Sequence, residues 1–326
     1  MQGEKKEEAL VDLTAIVLGY VCQHTAGNPT DSSVKWTALC PKDIATHLKQ
    51  AHGLTMSHRC IKRILKSDGY VRRKPLKCLQ TGESKDREEQ FGIVNFLKSL
   101  FESMDNNPIL SIDTKKKEPL GLLTRNEKVL VRPSGVPKVF SSDYSHLATG
   151  KAIPQGIFDC KLDKGYITIG NSHETAAFIV DNLRWWWNGF GIHNYPQATH
   201  LLLLCDCGGA NGYRHHLFKV LLQSLAAELG IRIVVAHYPP YCSKYNPIER
   251  KLFSHVHKTI ENTILTDLEQ VKSLMSKTSH SKGLSVEVRV VVKEHLLKRR
   301  SKKEDIDENR ILRHPDLPKL SYTLLP

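Results

Sequence analysis

Three acidic residues close or follow apolar runs in an order that suits a two-metal, phosphodiester-cleaving site: Asp113, Asp206 and Glu249. Asp113 closes Ile109–Ile112. Asp206 closes Leu201–Cys205 and runs into Gly208-Gly209-Ala210-Asn211-Gly212. Glu249 follows Asn246-Pro247-Ile248 and opens a stretch with Leu252, Phe253 and Val256 at helical spacing. A carboxylate just past a buried strand is costly unless it is solvated, hydrogen-bonded or bound to a cation. Hard divalent cations take such oxygens and keep room for water and phosphate. Two of them, about 3.5–4 Å apart, activate an attacking water and steady the leaving oxygen. Asp113 is the natural bridge between the ions, Asp206 the second ligand and Glu249 the third. Each residue also has a structural reading. Asp113 ends a strand, Asp206 begins a turn, and Glu249 is the third helical residue of a capping box with Asn246 as N-cap and Pro247 first. The catalytic reading rests on the set, spaced 93 and 43 positions apart, which only the fold brings together.

The elements that must position these residues are legible in outline. Ile109–Asp113, Ala152–Leu162 and Tyr166–Gly170 read as strands, with a hairpin break at Asp163-Lys164-Gly165. Asn171 with Glu174 three residues on reads as a capping box opening a helix to about Trp187. The strand Leu201–Cys205, a helix Leu217–Leu229 ended by Gly230, the strand Ile231–Ala236 and a helix from Pro247 complete the series. Three strands joined without helices form an antiparallel meander, and the later strands, alternating with helices, are parallel. The expected architecture is α/β: a mixed five-stranded sheet with flanking helices. Asp113 and Asp206, ending neighbouring parallel strands, then share the sheet edge where ligands of open α/β sheets bind.

Upstream, Ala9–Cys22 reads as an amphipathic stretch and Ala26–Thr30 as a polar loop. Two helices follow, Pro41–Leu48 and His58–Lys66, joined by a turn at Gly53 with Thr55 or Ser57 as the second cap. The second buries Ile61, Ile64 and Leu65 and displays Arg59, Lys62, Arg63 and Lys66, as the recognition helix of a helix-turn-helix does. The alternative is a helical hairpin with a solvated basic face. Charge favours the first: ten Lys and Arg against two Asp lie between Lys42 and Lys77, over half of the net +13. That points to a polyanion, with nucleic acid ahead of a membrane surface. No apolar run approaches the ~18 residues of a membrane span, and the acidic start is no signal peptide. The eight cysteines form no Cys-x-x-Cys pair and read as reduced cytosolic thiols. The regions expected are 1–80, an all-α DNA-binding part; 81–105, a linker and helix; 106–285, the catalytic domain; and 286–326, a basic tail.

The segments Ser111-Ile112-Asp113-Thr114-Lys115-Lys116-Lys117-Glu118, Asp206–Gly212, His237-Tyr238-Pro239-Pro240 and Ser243–Glu249 resemble the DDE transposases of insertion sequences. Within these the chain is similar to the ISAzo-type family, and the aromatic-rich stretch from His173 to Trp187 fits it too. The resemblance covers roughly 36–280. It implies a ribonuclease-H-like domain with its Asp-Asp-Glu triad on Asp113, Asp206 and Glu249, two Mg²⁺ (or Mn²⁺) ions, and strand cleavage followed by strand transfer. The implied partners are DNA, as terminal inverted repeats and target, and further copies of the chain on that DNA. A bacterial cytoplasm and its nucleoid are the implied setting. Family members usually begin further upstream, so an N-terminally shortened copy is implied. The competing reading is a DNA-binding remnant or regulator without catalysis. Lys115 and its two following lysines would hold phosphates or be a solvated run. Lys244, two residues before Asn246, is a candidate for a phosphate contact beside the metals. Trp186 and Trp187 belong to the core, with Trp185 there too or stacked on a base or second subunit.

Overall fold

The computed structural model describes residues 2–28, 31–71, 86–123, 135, 138–142, 144–261, 263–281, 283–294 and 301–326. The chain divides into two compact units, Met1–Leu79 and Gln80–Pro326. Positions 72–85 and 295–300 lie outside the described residues, and with them Arg72, Arg73, Lys74, Lys77, most of the expected linker and the basic run Lys298-Arg299-Arg300.

The first unit holds α1 (Gln2–Gln23), β1 (Thr25–Asn28), β2 (Asp31–Thr37), α2 (Pro41–His52) and α3 (His58–Ser67). The segment read as a polar loop is part of a hairpin, with β1 and β2 antiparallel and Ala26 opposite Trp36. Gly27 and Asn28 lie within β1 itself, so this unit is not all-α. α2 starts at Cys40, whose backbone N–H donates to the Asp43 carboxylate at 2.9 Å. It stops at Gly53, where φ is +66°, a conformation that costs glycine nothing. Ser57 caps α3, its hydroxyl accepting from the Cys60 N–H at 3.3 Å. Ile44 and Leu48 of α2 meet Ile61 and Ile64 of α3 and Val17 and Val21 of α1 in one small core. Arg59, Lys62, Arg63 and Lys66 are all exposed on α3.

The second unit opens with α4 (Arg87–Glu102), then β3 (Ile109–Thr114), β4 (Glu118–Leu120), β5 (Gly150–Asp159) and β6 (Lys164–Gly170). α5 (Ala176–Trp186) runs on through a π-turn at Trp187–Gly191. Next come β7 (His200–Cys205), α6 (His216–Leu229) and β8 (Arg232–His237). A π-turn at Glu249–Phe253 leads into α7 (Ser254–Ile260), followed by α8 (Leu268–Met275), β9 (Ser285–Val291), β10 (Ile311–Arg313) and β11 (Ser321–Leu324). The strands make one sheet in the order β10-β11-β8-β7-β3-β5-β6-β9, with β4 paired to β5 at one end. Its centre is the expected five: β3, β5 and β6 antiparallel, then β7 and β8 parallel to β3. That order and polarity is the ribonuclease-H-like arrangement.

Two differences from the sequence reading concern the edges. Residues 286–326 are not a tail. β9 joins β6 in parallel and β11 joins β8 antiparallel, so the five-stranded core is widened on both sides. The alternation Val286, Val288, Val290 is the strand signal at one edge, whereas β10 and β11 are too short to show a period. The second difference is the start of α5. Thr175 is its N-cap, its hydroxyl accepting from the Phe178 N–H at 3.2 Å, so Asn171 and Glu174 stand before the helix. One face of the sheet packs on α5 and α6 through Ile112, Leu183, Leu203 and Phe218. The other packs on α7 and α8 through Phe158, Ile167, Leu252 and Val256, and on α4 through Val94 and Leu204.

Candidate active site

β3 and β7 run parallel with Ser111 beside Leu204. Two residues further along each strand stand Asp113 and Asp206, at the same carboxyl edge. Both strands are apolar, Leu201–Cys205 being buried throughout, and the carboxylates begin where that burial eases. Glu249 arrives from the opposite side, through the helix that lies on β5 and β6. Two glycines seat that helix. A Cβ at Gly156 would fall 2.7 Å from the Phe253 ring and 2.8 Å from Ile248, and one at Gly165 would meet Leu252 at 2.5 Å. Gly156 is the register partner of Asp113, so one of the two positions that admit the helix is also the one that places Glu249 beside Asp113.

A side-chain lock fixes this approach. The Ser111 hydroxyl, fully buried on β3, donates to Asn246 Oδ1 and accepts from the Ile248 N–H at 2.9 Å. Asn246 Nδ2 donates to the Ile112 carbonyl at 3.1 Å. The helix does begin after Asn246, but the expected capping box is absent. Asn246 spends its amide on β3, and only its backbone carbonyl accepts from the Glu249 N–H, at 3.1 Å. The turn starting at Glu249 is a π-turn, a local widening that frequently marks functional sites.

The carboxylates perturb one another. Asp113 is raised to about 8, by burial first, then by the charges of Asp206 and Glu249, while the Thr114 N–H, 2.7 Å away, opposes the shift. Asp206 is raised to about 6, again by burial first, with Glu174 and Glu249 adding and the Gly208 N–H opposing. Asp206 Oδ1 is buried without a hydrogen-bond donor. Such an oxygen is expensive in a low dielectric, and a cation is the group that removes the cost and the repulsion together. The donor set, oxygen only, fits a hard divalent ion. Among the described residues no three His, Cys, Asp or Glu side chains are drawn in tightly enough to enclose one ion.

Sequence reading missed two neighbours, Glu174 and Ser111, and left His237 without a specific role. Glu174 stands beside Asp206: the loop after β7 passes under it at Gly209, where φ is +64° and a Cβ would lie 2.8 Å from Glu174 Oε1. Its signal was spent on a helix cap that does not form. Ser111, one hydroxyl in an apolar strand, was legible as an oddity only. His237, expected in the wall of the site, is fully buried and its Nδ1–H donates to the Asp206 carbonyl at 2.8 Å. Burial lowers its pKa to about 4, so it stays neutral and orients the Asp206 backbone.

Lys115 differs from expectation. It is 9% exposed and its ammonium pairs with Glu118, three residues on, because β3 ends by turning that side chain inward. Lys116 and Lys117 remain exposed, as does Lys244, whose ammonium lies 5.2 Å from the Tyr245 ring centre. Trp186 and Trp187 are buried. Trp185 is half-buried, with the Arg289 guanidinium 4.2 Å over its ring.

Sheet order and edge carboxylates together define a ribonuclease-H-like domain with an Asp-Asp-Glu set. The chain belongs to the family described as "Rhodopirellula transposase DDE domain", whose model matches residues 17–326. Among curated proteins there is no match. Solved structures similar to this chain include the mariner Mos1 paired-end complex with Mg, at 14% identity and a TM-score of 0.44. The Mos1 strand transfer complex is similar at 14% and 0.43. These matches take in 72% of this chain and 64–65% of the Mos1 chains, a little under two thirds of their length.

Proposed function

We propose that the chain is a transposase that cuts DNA at the ends of an insertion sequence and joins them to target DNA. The carrying observation is the meeting of Asp113 and Asp206 at one end of parallel strands with the Glu249 helix seated on Gly156 opposite Asp113. In this reading Asp113, the carboxylate that feels both others, would hold the divalent ions together with Asp206 and Glu249. Ions of the Mg²⁺ or Mn²⁺ type, when bound, supply a stronger water nucleophile and steady the leaving oxygen. The chain's own part is positioning. Ser111 and Asn246 hold Glu249 on β3, and His237 holds the Asp206 backbone. In cleavage a water oxygen bonds to phosphorus as the bond to the 3′ oxygen breaks, leaving a 3′-hydroxyl and a 5′-phosphate. In joining, that 3′-hydroxyl attacks a target phosphodiester and releases a target 3′-hydroxyl.

Binding of the ends falls to α3, through Arg59, Lys62, Arg63 and Lys66, with Lys244 on a phosphate near the site. Assembly of several copies on DNA belongs to the same proposal. Alanine at Asp113, Asp206 or Glu249 should each abolish Mg²⁺-dependent cleavage of end DNA while leaving gel-shift affinity within about twofold. The losses should not add, because a site missing one ligand has little left to lose. An Asp206→Ala protein that cuts at the wild-type rate would end the proposal.

A further inference from the structure

Two cavities open from the edge of the sheet and share a wall. The first, about 450 Å³, lies against Asp206 and is lined by the Gly208-Gly209 turn, Tyr213, Arg214, Pro240 and Tyr241. The second, about 760 Å³, is lined by Tyr213 and Arg214 again, then by Lys219 of α6 and by Lys303, Arg313 and Lys319 of the C-terminal segment. Tyr213 and Arg214 join them, the Arg214 Nε donating to the Tyr213 hydroxyl at 2.9 Å. The one acid lining the second cavity is Glu308, and Arg313 holds both its oxygens, at 2.8 and 3.1 Å. Arg214, Lys303 and Lys319 are left without an acid of the wall to oppose them, whereas Lys219 is buried and its ammonium donates to the Tyr213 carbonyl.

The aromatic groups are placed differently. Tyr241 is 61% exposed and takes φ +61°, a left-handed conformation that is a genuine oddity for an aromatic residue. It stands at the mouth of the first cavity, with Tyr213 further in. A cationic groove interleaved with aromatic rings is what single-stranded nucleic acid needs, since phosphates track the charge and bases stack on the rings. Volumes of 450 and 760 Å³ suit a few nucleotides of one strand.

We propose that the joined cavities are a track for one DNA strand leading away from the phosphodiester at Asp206. Tyr213 and Tyr241 take bases, and Arg214, Lys303 and Lys319 take phosphates. The track rests on the reading of Asp206 as part of the cleavage site. It gives the C-terminal segment a substrate-binding role, with the strand, rather than an acidic peptide, as occupant because the groove leads to the carboxylate edge.

The test is fluorescence anisotropy on the full chain with a thymidine 20-mer and with a duplex of equal length, across a salt series. Lys303→Gln/Lys319→Gln should lower single-strand affinity at least fivefold and flatten the salt slope by about 0.7 for each phosphate no longer neutralised. Duplex affinity should stay unchanged. Tyr241→Ala should weaken single-strand binding by about 5- to 100-fold with little change in slope. Both lysines are exposed, so the melting temperature should hold, and Arg214→Gln provides an independent variant at the shared wall. Wild-type single-strand affinity and slope in the lysine variant would overturn the track. An equal loss on duplex and single strand would overturn it too, leaving a general polyanion patch. If the wild-type chain bound the single strand through these residues yet never cut end DNA in Mg²⁺, the transposase reading would fall, and of the proposal only single-strand binding in the groove would stand.

Discussion

Asp113 carries the sharpest tension in the molecule. Folding buries it beside Asp206 and Glu249 and raises its pKa to about 8, against about 3.9 in an unfolded chain. A group raised in this way favours the folded state fully below its unfolded pKa, and that contribution is lost as pH climbs toward the folded one. In metal-free protein, Asp113→Asn should therefore melt higher than wild type at pH 8 and no higher at pH 4. Melting curves at the two pH values, in chelator, check it; equal shifts at both would mean the carboxylates are not crowded. Adding Mg²⁺ should raise the wild-type melt and leave the variant nearly unmoved. The crowding was legible in the sequence only as three separate acids after apolar runs. Glu174 was not legible as a neighbour, because its spacing from Asn171 imitates a helix cap.

At the scale of elements, the helix carrying Glu249 is held by bonds that span the chain. Asn246 shows why a local rule gave a right boundary and a wrong cause. Asn-Pro before an apolar run does start a helix, yet its amide bonds Ser111 and Ile112, well over a hundred positions back. A cap deletion costs about 1 kcal/mol. Losing a buried two-way bond that strands other polar groups costs about 2–4 kcal/mol. Asn246→Ala should destabilise by the larger amount in urea unfolding. Ser111→Ala should resemble it, and the double variant should cost less than the two losses together. Simple additivity would separate the pair and leave the lock without meaning. Lys115 is the converse case. A lysine run reads as solvated, and only the turn of the chain after β3 sends the first of them inward to Glu118. The two inner parallel strands were plain from continuous apolar runs; β10 and β11, three and four residues long, carry too few positions to declare themselves.

For the whole molecule, the proposed function divides holding and cutting between the two units. Arg59, Lys62 and Arg63 belong to the first, and all three carboxylates to the second. Replacing those three basic residues by Gln should weaken duplex binding and flatten its salt dependence by about 0.9 for each phosphate left to its counterions. Metal uptake by the second unit should be unaffected, as calorimetry with Mn²⁺ would show. Retained affinity and slope would return α2 and α3 to an ordinary helical hairpin.

The placement of β11 has a consequence for how the protein is made. Ser321–Leu324 pairs with Ile233–Ala236 of β8, Gln90 joins the His237 carbonyl to Ser321, and Tyr322 packs beside His237. A chain still on the ribosome has every carboxylate of the site already synthesised but no strand to cover β8, whose open edge invites pairing with another chain. Chains made only as far as Glu249 should then be sticky, their β8 edge open to a neighbour until β11 is made.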